Sequence, residues 1–489
     1  MSKAKRSLRG ALILSFAQKY TSLVFNLLTV IIVSRLLTPE EIGVFSVAVG
    51  LTALAQMLRT FGVSEYLVQE KILHEGMIRT SFTVNLILAW LLAAGLYATS
   101  WLIGGFYGDP GVGRVIRVLS ATFILTPFGT TAMALLQRNM EFGLLYKIRT
   151  GEVVVRSSVT IGLAFAGFGY MSMAWASVAA MMAWIVGCTI WGHEYRARGL
   201  SLAEWRLVVP FGVNRTVSDI VSELGQQSAN LVVGKMLGLA YAGFYSRGYS
   251  VVNIFREKVV SAIGAVAFPA FALEHRERNA APELYLRSLV YLTGISWPFF
   301  AFSAFMAFPI IRILFGSQWD AAVPLMRWLC GAAIVGTLIY QCNQFFIAIG
   351  RVGVVTTIEI QYQLARLVIA IVAALYSVEA VAASQVLVYG IATILYYRKI
   401  IGYNGVSTRR IIVALLPSVG VTVAACIVPA AVVFWPGLIS KHLVPAFAVS
   451  VFGAGIGWLL GVMQVKHPIM DELRQALSFL RNRLQTFQS

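Results

Sequence analysis

Arg215, Asp219 and Glu223 follow one another at four-residue intervals, and Gln226, Gln227 and Asn230 extend the same stripe through a segment otherwise apolar enough to cross a membrane. Residues four apart lie on one face of a helix. That face cannot look at lipid, and its chemistry suits ion pairing, hydrogen bonding to hydroxyl-rich sugar, or carriage of an ion. Further ionisable side chains sit in apolar stretches: Lys19, Arg35, Arg59, Lys235, Arg247, Arg256, Glu257 and Lys258. Each costs about 2.5 to 3.5 kcal/mol at the centre of a membrane helix and normally faces a cavity or a partner. Eight cations, Lys19, Arg35, Arg59, Arg215, Lys235, Arg247, Arg256 and Lys258, are therefore candidate substrate-binding residues. Their chemistry fits a phosphate-bearing ligand, since Arg and Lys pair strongly with phosphate oxygens at low dielectric. Asp219, Glu223 and Glu257 are candidates for ion coupling, although each has a cation nearby in sequence.

Structural roles compete for several of these residues. Arg35 and Lys235 stand near helix ends, where long cationic side chains reach the membrane interface. Arg215 with Asp219 could simply lock a helix as an ion pair. Glu359, Gln363 and Arg366 also share a face, and the expectation there is a structural pair.

The elements that must position these groups are long helices. Hydrophobic residues make up 58% of the 489, charged residues only 12%, and mean hydropathy is +0.77. Soluble domains carry about 25% charged residues, so the chain is read as an all-α integral membrane protein. About fourteen stretches have spanning length. They run over 11–37, 41–62, 78–106, 114–137, 144–166, 171–191, 210–237, 241–271, 287–314, 321–349, 352–376, 379–397, 411–434 and 442–463. The net charge of +18 is spread over short loops, so topology explains it and nucleic acid is not an expected partner. Basic residues fall on alternate segments: Lys3 to Arg9, Lys71 and Arg79, Arg138 to Arg149, Arg196 to Arg206, Arg276 to Arg287, Arg398 to Arg410, and Lys466 to Arg483. By the positive-inside rule both termini are cytoplasmic. The basic start reads as an uncleaved first span, because the apolar run continues past about 15 residues and contains Lys19.

Cys188, Cys330, Cys342 and Cys426 fall inside spans without metal-ligand spacing, and the five histidines, at 74, 193, 275, 442 and 467, read as loop residues. No metal site, cofactor or catalytic residue is expected.

A shift of 200 positions lays Ile31 to Leu37 over Leu231 to Leu237, and Gly43-Val44-Phe45-Ser46 over Gly243-Phe244-Tyr245-Ser246. Phe106-Tyr107-Gly108 and Leu314-Phe315-Gly316 extend the match at a slightly larger shift. The unit is six spans, an even number, so both copies enter the membrane in the same direction, as in transporters that rock one half against the other. The expected organisation is an N-terminal six-helix lobe (1–195), a C-terminal six-helix lobe (205–401), two additional spans (408–463) and a cytoplasmic tail (464–489). In that tail Met470, Leu473, Leu477, Leu480, Leu484 and Phe487 mark an amphipathic helix.

The stretch Leu36-Leu37-Thr38-Pro39-Glu40-Glu41-Ile42-Gly43 resembles the turn between the first two helices of Wzx-type polysaccharide flippases. So do Leu135-Leu136-Gln137-Arg138-Asn139-Met140-Glu141-Phe142, Gly167-Phe168-Gly169 and Trp175-Ala176. These are the lipopolysaccharide and exopolysaccharide exporters of the multidrug/oligosaccharidyl-lipid/polysaccharide (MOP) superfamily, and the resemblance covers essentially the whole chain. It implies a bacterial inner-membrane protein that is not an enzyme. Such a protein moves undecaprenyl-pyrophosphate-linked oligosaccharide repeat units to the outer leaflet, with helices 1, 2, 7 and 8 lining the cavity. A polysaccharide polymerase and a chain-length regulator are the protein partners it suggests. Two alternatives stay open at this point: a multidrug or cation exporter of the same superfamily, and a membrane polysaccharide polymerase or ligase.

Overall fold

The computed structural model describes residues 3–60, 67, 70, 73–192, 199–260, 270, 271, 273, 274, 281–401, 406–435, 437–472, 474, 475 and 478. Helices account for nearly all of them. The chain forms two compact units, Met1–Gly243 and Phe244–Ser489.

Unit 1 contains α1 (Lys3–Leu36), α2 (Pro39–Thr60), α3 (Glu75–Tyr107), α4 (Pro110–Leu125), α5 (Pro127–Arg138), α6 (Phe142–Phe165), α7 (Met171–Trp191) and α8 (Trp205–Met236). Helix α9 (Leu239–Phe255) begins at its end and continues into unit 2 as a π-helical turn, Arg256–Val260. Unit 2 then adds α10 (Ala281–Phe305), α11 (Ala307–Phe315), α12 (Ala322–Ala348), α13 (Val352–Ala374), α14 (Val378–Ile400), α15 (Thr408–Phe434), the short α16 (Leu438–Lys441) and α17 (Leu443–Gln464).

Local chemistry sets the boundaries. Thr38 and Glu41 form a reciprocal capping box at the start of α2. The Glu41 carboxylate accepts the Thr38 N–H at 2.9 Å, and the Thr38 hydroxyl accepts the Glu41 N–H at 3.3 Å, with Pro39 in the first helical position. Asp109 accepts from the Gly111 N–H ahead of α4, and Ser377 from the Ala380 N–H ahead of α14. The chain bends by 52° between α4 and α5, where Pro127 supplies no N–H and its ring would crowd the preceding turn. That break divides the single span expected over 114–137.

Ten of the described helices are long and apolar enough to cross a membrane, or eleven with the bent α4–α5 pair as one. Three helices expected to span fall short of that test, two of them through their charges and the third through its length. Helix α6 carries Lys147, Arg149, Glu152 and Arg156, partly neutralised by ion pairs of Glu152 to Arg156 (2.5 Å) and Arg149 (3.7 Å). Helix α8 carries Arg206, Arg215, Asp219, Glu223 and Lys235, and α9 has 17 residues and holds Arg247. The chain is an all-α, multi-pass membrane protein.

Packing follows the same logic within each unit. In unit 1, α3 lies on α4, α6 on α7 and α1 on α6, while α2 packs against α4 and α8. Trp184 of α7 fills a notch at Gly129, among Ala132, Met133, Leu136, Ile148 and Cys188. In unit 2, α10 packs on α12 and α15, α12 on α14, and α15 on α17. Its core is built from Tyr285, Leu289, Phe345, Phe346, Tyr396 and Ile411. Outward faces stay apolar, as with Trp101 and Leu102 on α3 and Phe452 and Ile456 on α17, because lipid rather than water meets them. All four cysteines are buried and none is in a disulfide.

His467 departs from the loop residue its position suggests. The chain turns back after α17 through Lys466, at φ +50°, and sinks the His467 ring to 1% exposure. Nδ1 accepts the Ile469 N–H at 3.2 Å, which leaves the proton on Nε2, 3.2 Å from the Ser418 hydroxyl. Ser418 in turn meets the Thr293 hydroxyl at 2.8 Å. The ring occupies the space a side chain at Gly294 would need.

Burial pushes the His467 imidazole down to about 4. An unfolded histidine titrates near 6.5, so between the two values the unfolded chain binds the extra proton, and stability rises with pH across that window. The stabilisation is complete above about pH 6.5 and is lost as pH falls toward about 4. Thermal unfolding of the purified protein should therefore show a Tm that drops on acidification, with a shallower drop in His467→Gln, which cannot titrate. Equal slopes in the two proteins would exclude His467 as the source.

Candidate functional site

Within unit 1 the two ends of the candidate site meet at a backbone crossing. A Cβ placed on Gly43 would fall on the Leu239 carbonyl, and one placed on Gly243 would fall on the Pro39 carbonyl. The contact is reciprocal: Pro39 and Leu239, like Gly43 and Gly243, stand 200 positions apart, the arrangement expected about a local two-fold axis. Only glycine permits an approach this close. The capping box of Thr38 and Glu41 fixes the first of the two strands of contact, which gives the L-T-P-E-E-I-G sequence a physical meaning.

Below this crossing α2 and α8 run together. Asn230 donates to the Ser46 hydroxyl at 3.3 Å, Gly50 faces Leu231 and Gln227, and Gly234 leaves room for Val47. Glu223, half-buried, accepts from Gln227 Nε2 at 2.8 Å. The Lys235 ammonium donates to the Phe106 carbonyl and sits over the Phe106 ring, 4.3 Å from its centroid. Lys19 and Arg35 are exposed on α1. The side chains of Arg215, Asp219 and Lys258 lie outside the described residues.

Arg59 is the buried cation of unit 1, at 8% exposure. Its Nε donates to Gln56 Oε1 at 2.9 Å and a terminal nitrogen reaches Asn85 Oδ1 at 3.5 Å. Among the described residues no carboxylate lies within ion-pair distance. Asn85 was not singled out from sequence, although an amide in the middle of an otherwise apolar span carries the same signal as a charge.

Unit 2 holds two more such groups. Arg247 is as buried as Arg59, and its guanidinium lies 5.9 Å from the Phe315 ring centroid and 5.7 Å from that of Trp319. Its Nε has no hydrogen-bond partner. Arg256, half-buried, donates to Asn253 Oδ1 at 2.8 Å and stands 5.9 Å from the Tyr249 centroid, while the exposed Glu257 accepts from Asn253 Nδ2 at 2.8 Å. Asn253 thus ties Arg256 to Glu257 through its amide. The aromatic clasp on Arg247 needs residues about seventy positions downstream, beyond the reach of local spacing.

Glu359 and Arg366 do not pair with each other. They are seven positions apart on α13, roughly 10 Å along the axis, and each finds partners on neighbouring helices instead. Arg366 Nε donates to Gln385 Oε1 at 2.7 Å and its guanidinium lies over Tyr389. Glu359 accepts from Asn343 and Tyr396. Among the described residues no group of three or more His, Cys, Asp or Glu could hold a metal ion.

The sequence pattern of the polysaccharide biosynthesis protein family matches residues 32–324, well over half of the chain. This chain belongs to that family. Curated relatives agree. Lipopolysaccharide biosynthesis protein WzxC of Escherichia coli (strain K12) is 24% identical over 338 residues, 67% of this chain and 67% of that protein. Teichuronic acid biosynthesis protein TuaB of Bacillus subtilis (strain 168) is 25% identical over 68% of this chain and 71% of its own length. Succinoglycan biosynthesis transport protein ExoT of Rhizobium meliloti (strain 1021) is 27% identical over 66% of this chain and 65% of its own length. The alignments thus span about two thirds of each relative.

Solved structures show the fold of this polysaccharide biosynthesis family member. Lipid II flippase MurJ, in an inward closed conformation, superposes over 93% of this chain and 99% of its own with a TM-score of 0.73 at 10% identity. A multidrug resistance MATE family transporter of the MOP superfamily superposes over 78% and 94% with a TM-score of 0.60 at 15% identity. The chain shares its fold with both of these proteins.

The crossing makes a direct prediction. Gly43→Ala and Gly243→Ala must each force two backbones apart and should destabilise the protein by about 3 kcal/mol or more. Gly95→Ala, with nothing within 4 Å of the new methyl, should leave thermal unfolding unchanged or slightly raised. A Gly43→Ala protein as stable as Gly95→Ala would show that the crossing is not a fixed contact.

Proposed function

We propose that this protein is a flippase that carries undecaprenyl-pyrophosphate-linked oligosaccharide repeat units across the bacterial inner membrane for surface or exopolysaccharide synthesis. The observation that carries the reading is a pair of buried guanidiniums, Arg59 and Arg247, whose partners among the described residues are all neutral. Arg59 rests on amides, and Arg247 on two aromatic rings with Nε unsatisfied. A buried cation of this kind is costly unless a counter-charge arrives, and a diphosphate provides one in the geometry that guanidinium groups match. The polar stripe of α8 offers amides and hydroxyls to sugar, and the polyprenyl chain stays in lipid. No covalent step is involved.

Counting α6, α8 and α9 as spans beside the ten apolar helices and the bent pair restores fourteen crossings, arranged as two six-helix lobes, 1–195 and 205–401, with two added spans at 408–463 and both termini cytoplasmic. The 200-residue reciprocity at Gly43 and Gly243 supports such a repeat, and alternating access by rocking of the lobes is the mechanism it suits. Lys19, Arg35, Arg59, Arg215, Lys235, Arg247, Arg256 and Lys258 are the proposed substrate contacts, and Asp219, Glu223 and Glu257 the proposed coupling groups. The names of the relatives, which place them in lipopolysaccharide, teichuronic acid and succinoglycan biosynthesis, support the substrate class. A polysaccharide polymerase and a chain-length regulator would act next on the product. An exporter of cationic drugs is disfavoured by the same buried guanidiniums, which repel a positive substrate.

Deleting the gene and extracting lipid-linked sugars tests the function. Flipping as the missing step predicts repeat units accumulating on the cytoplasmic leaflet with loss of surface polymer. Accumulation on the outer leaflet would point to polymerisation, and no accumulation would remove the reading. For the site, Arg59→Gln and Lys258→Gln should each lower surface polysaccharide on the order of tenfold, the loss of one charge-assisted contact, at unchanged protein level. Wild-type polymer in both variants would overturn the assignment.

A further inference from the structure

Where α3 ends and α4 begins, inside unit 1, the two helices border a cavity of about 310 Å³. Glycines bring them together: a Cβ on Gly113 would lie 2.5 Å from the Ser100 carbonyl oxygen, and one on Gly104 would lie 3.4 Å from that of Asp109. Ser100 therefore stands beside Gly113, and Gly104 beside Asp109. The lining includes Ser100, Trp101, Gly105 and Gly108, and it carries two charged side chains, Arg117 and Asp109.

The two charges are held separately. Arg117 Nε donates to the Ser100 hydroxyl at 2.8 Å, and that hydroxyl donates in turn to the Tyr97 carbonyl at 2.7 Å. A helical side chain leans toward the N-terminus of its helix, so this bond draws the guanidinium back along α4 toward Asp109. The Asp109 carboxylate caps α4 by accepting the Gly111 N–H at 2.5 Å. Among the described residues no ion pair joins Asp109 to Arg117, and Arg114 lies over the Tyr170 ring instead. Tyr97 and Trp101, one turn apart on α3, are both exposed, as is Leu102. Aromatic residues of this kind face the bilayer at headgroup depth.

We propose that this cavity binds the headgroup of a membrane phospholipid in which a phosphate is joined to a primary ammonium, the phosphatidylethanolamine class. The phosphate lies on Arg117, whose guanidinium offers parallel N–H donors, and the ammonium lies against Asp109. From Asp109 to Gly113, beside which Ser100 holds the guanidinium, is about 6 Å along the helix axis. That is the scale of a phosphate and an ammonium linked by two carbons, and the cavity is of small-ligand size. A purely anionic headgroup would bring its charge against Asp109, and opposition of like charges is a means of discrimination. The acyl chains leave over Trp101 and Leu102 into the bilayer. None of the substrate contacts or coupling groups proposed above takes part, so the site stands or falls by lipid binding, whatever the protein transports.

The test is native mass spectrometry of the delipidated full-length protein in detergent, titrated with dioleoyl phosphatidylethanolamine, phosphatidylglycerol or phosphatidylcholine. The wild type should bind phosphatidylethanolamine about tenfold more tightly than the other two, the scale of one charge-assisted contact. Phosphatidylglycerol lacks the amine, and phosphatidylcholine lacks its N–H donors. Arg117→Gln should weaken phosphatidylethanolamine binding about tenfold. Asp109→Asn, which keeps a good N-cap residue, should abolish the preference over phosphatidylglycerol. Gly105→Leu fills the cavity from a position where a new Cβ meets nothing within 4 Å, so it should remove the preference at an unchanged Tm even if the charge variants fail to fold. Equal binding of the three lipids by the wild type, or a preference for phosphatidylethanolamine that survives in Gly105→Leu, overturns the proposal. So does soluble O-phosphoethanolamine binding as tightly as the lipid.

Discussion

A positive charge taken out of water must be compensated by something, and the arrangement of this protein follows from how each buried guanidinium meets that demand. Arg366 is held by a glutamine and a tyrosine face, Arg59 by two amides, and Arg247 by Phe315 and Trp319. None of these partners brings a negative charge. Neutral dipoles and ring quadrupoles lower the cost of burial without cancelling it. In the proposed reading Arg59 and Arg247 keep an electrostatic demand that an anion can satisfy, whereas a carboxylate partner would remove the capacity to bind one. Arg59 and Arg366 sit on helices that are otherwise apolar enough to span a membrane, so their burial turns each charge away from lipid.

The second constraint is steric. At Gly43 and Gly243 two backbones meet so closely that no side chain fits, and the capping box of Thr38 and Glu41 holds one of them in place. Helix association in membranes gains little from hydrophobicity and depends on such small-residue contacts and on hydrogen bonds between helices. The pairing of Asn230 with Ser46 and the notches at Gly50 and Gly234 act alongside the crossing. At the far end of the chain His467 plays a comparable part, filling the notch at Gly294 and bonding to Ser418.

Most of the helices could be read from hydropathy, because a spanning helix needs a long apolar run and little else. The bend at Pro127 and the break at Met306 escaped that reading, since a continuous apolar run looks the same whether or not its helix is interrupted. The 200-residue shift also placed the two glycines in register, while their contact could not be inferred from text alone. For the site, the cost of intramembrane charge pointed to Arg59, Arg247 and Arg256, but their partners came from distant helices. Asn85 shows in the sequence as an amide within an apolar run, whereas Phe315 and Trp319 give no local sign of their role. Glu359 and Arg366 illustrate the limit most clearly, for a shared helix face suggested a pair, and at seven residues apart the two side chains found separate neighbours.

In the proposed function, buried cations whose partners among the described residues are neutral serve to move a lipid-linked diphosphate sugar between leaflets. The most direct measurement is reconstitution of the purified protein into liposomes that contain a polyprenyl-diphosphate oligosaccharide, following its exposure on the outer leaflet with an impermeant lectin or oxidant. The account predicts protein-dependent exposure that is lost when Arg247 is replaced by Gln. Exposure no faster than in protein-free liposomes, or equal in the Arg247→Gln protein, would contradict it.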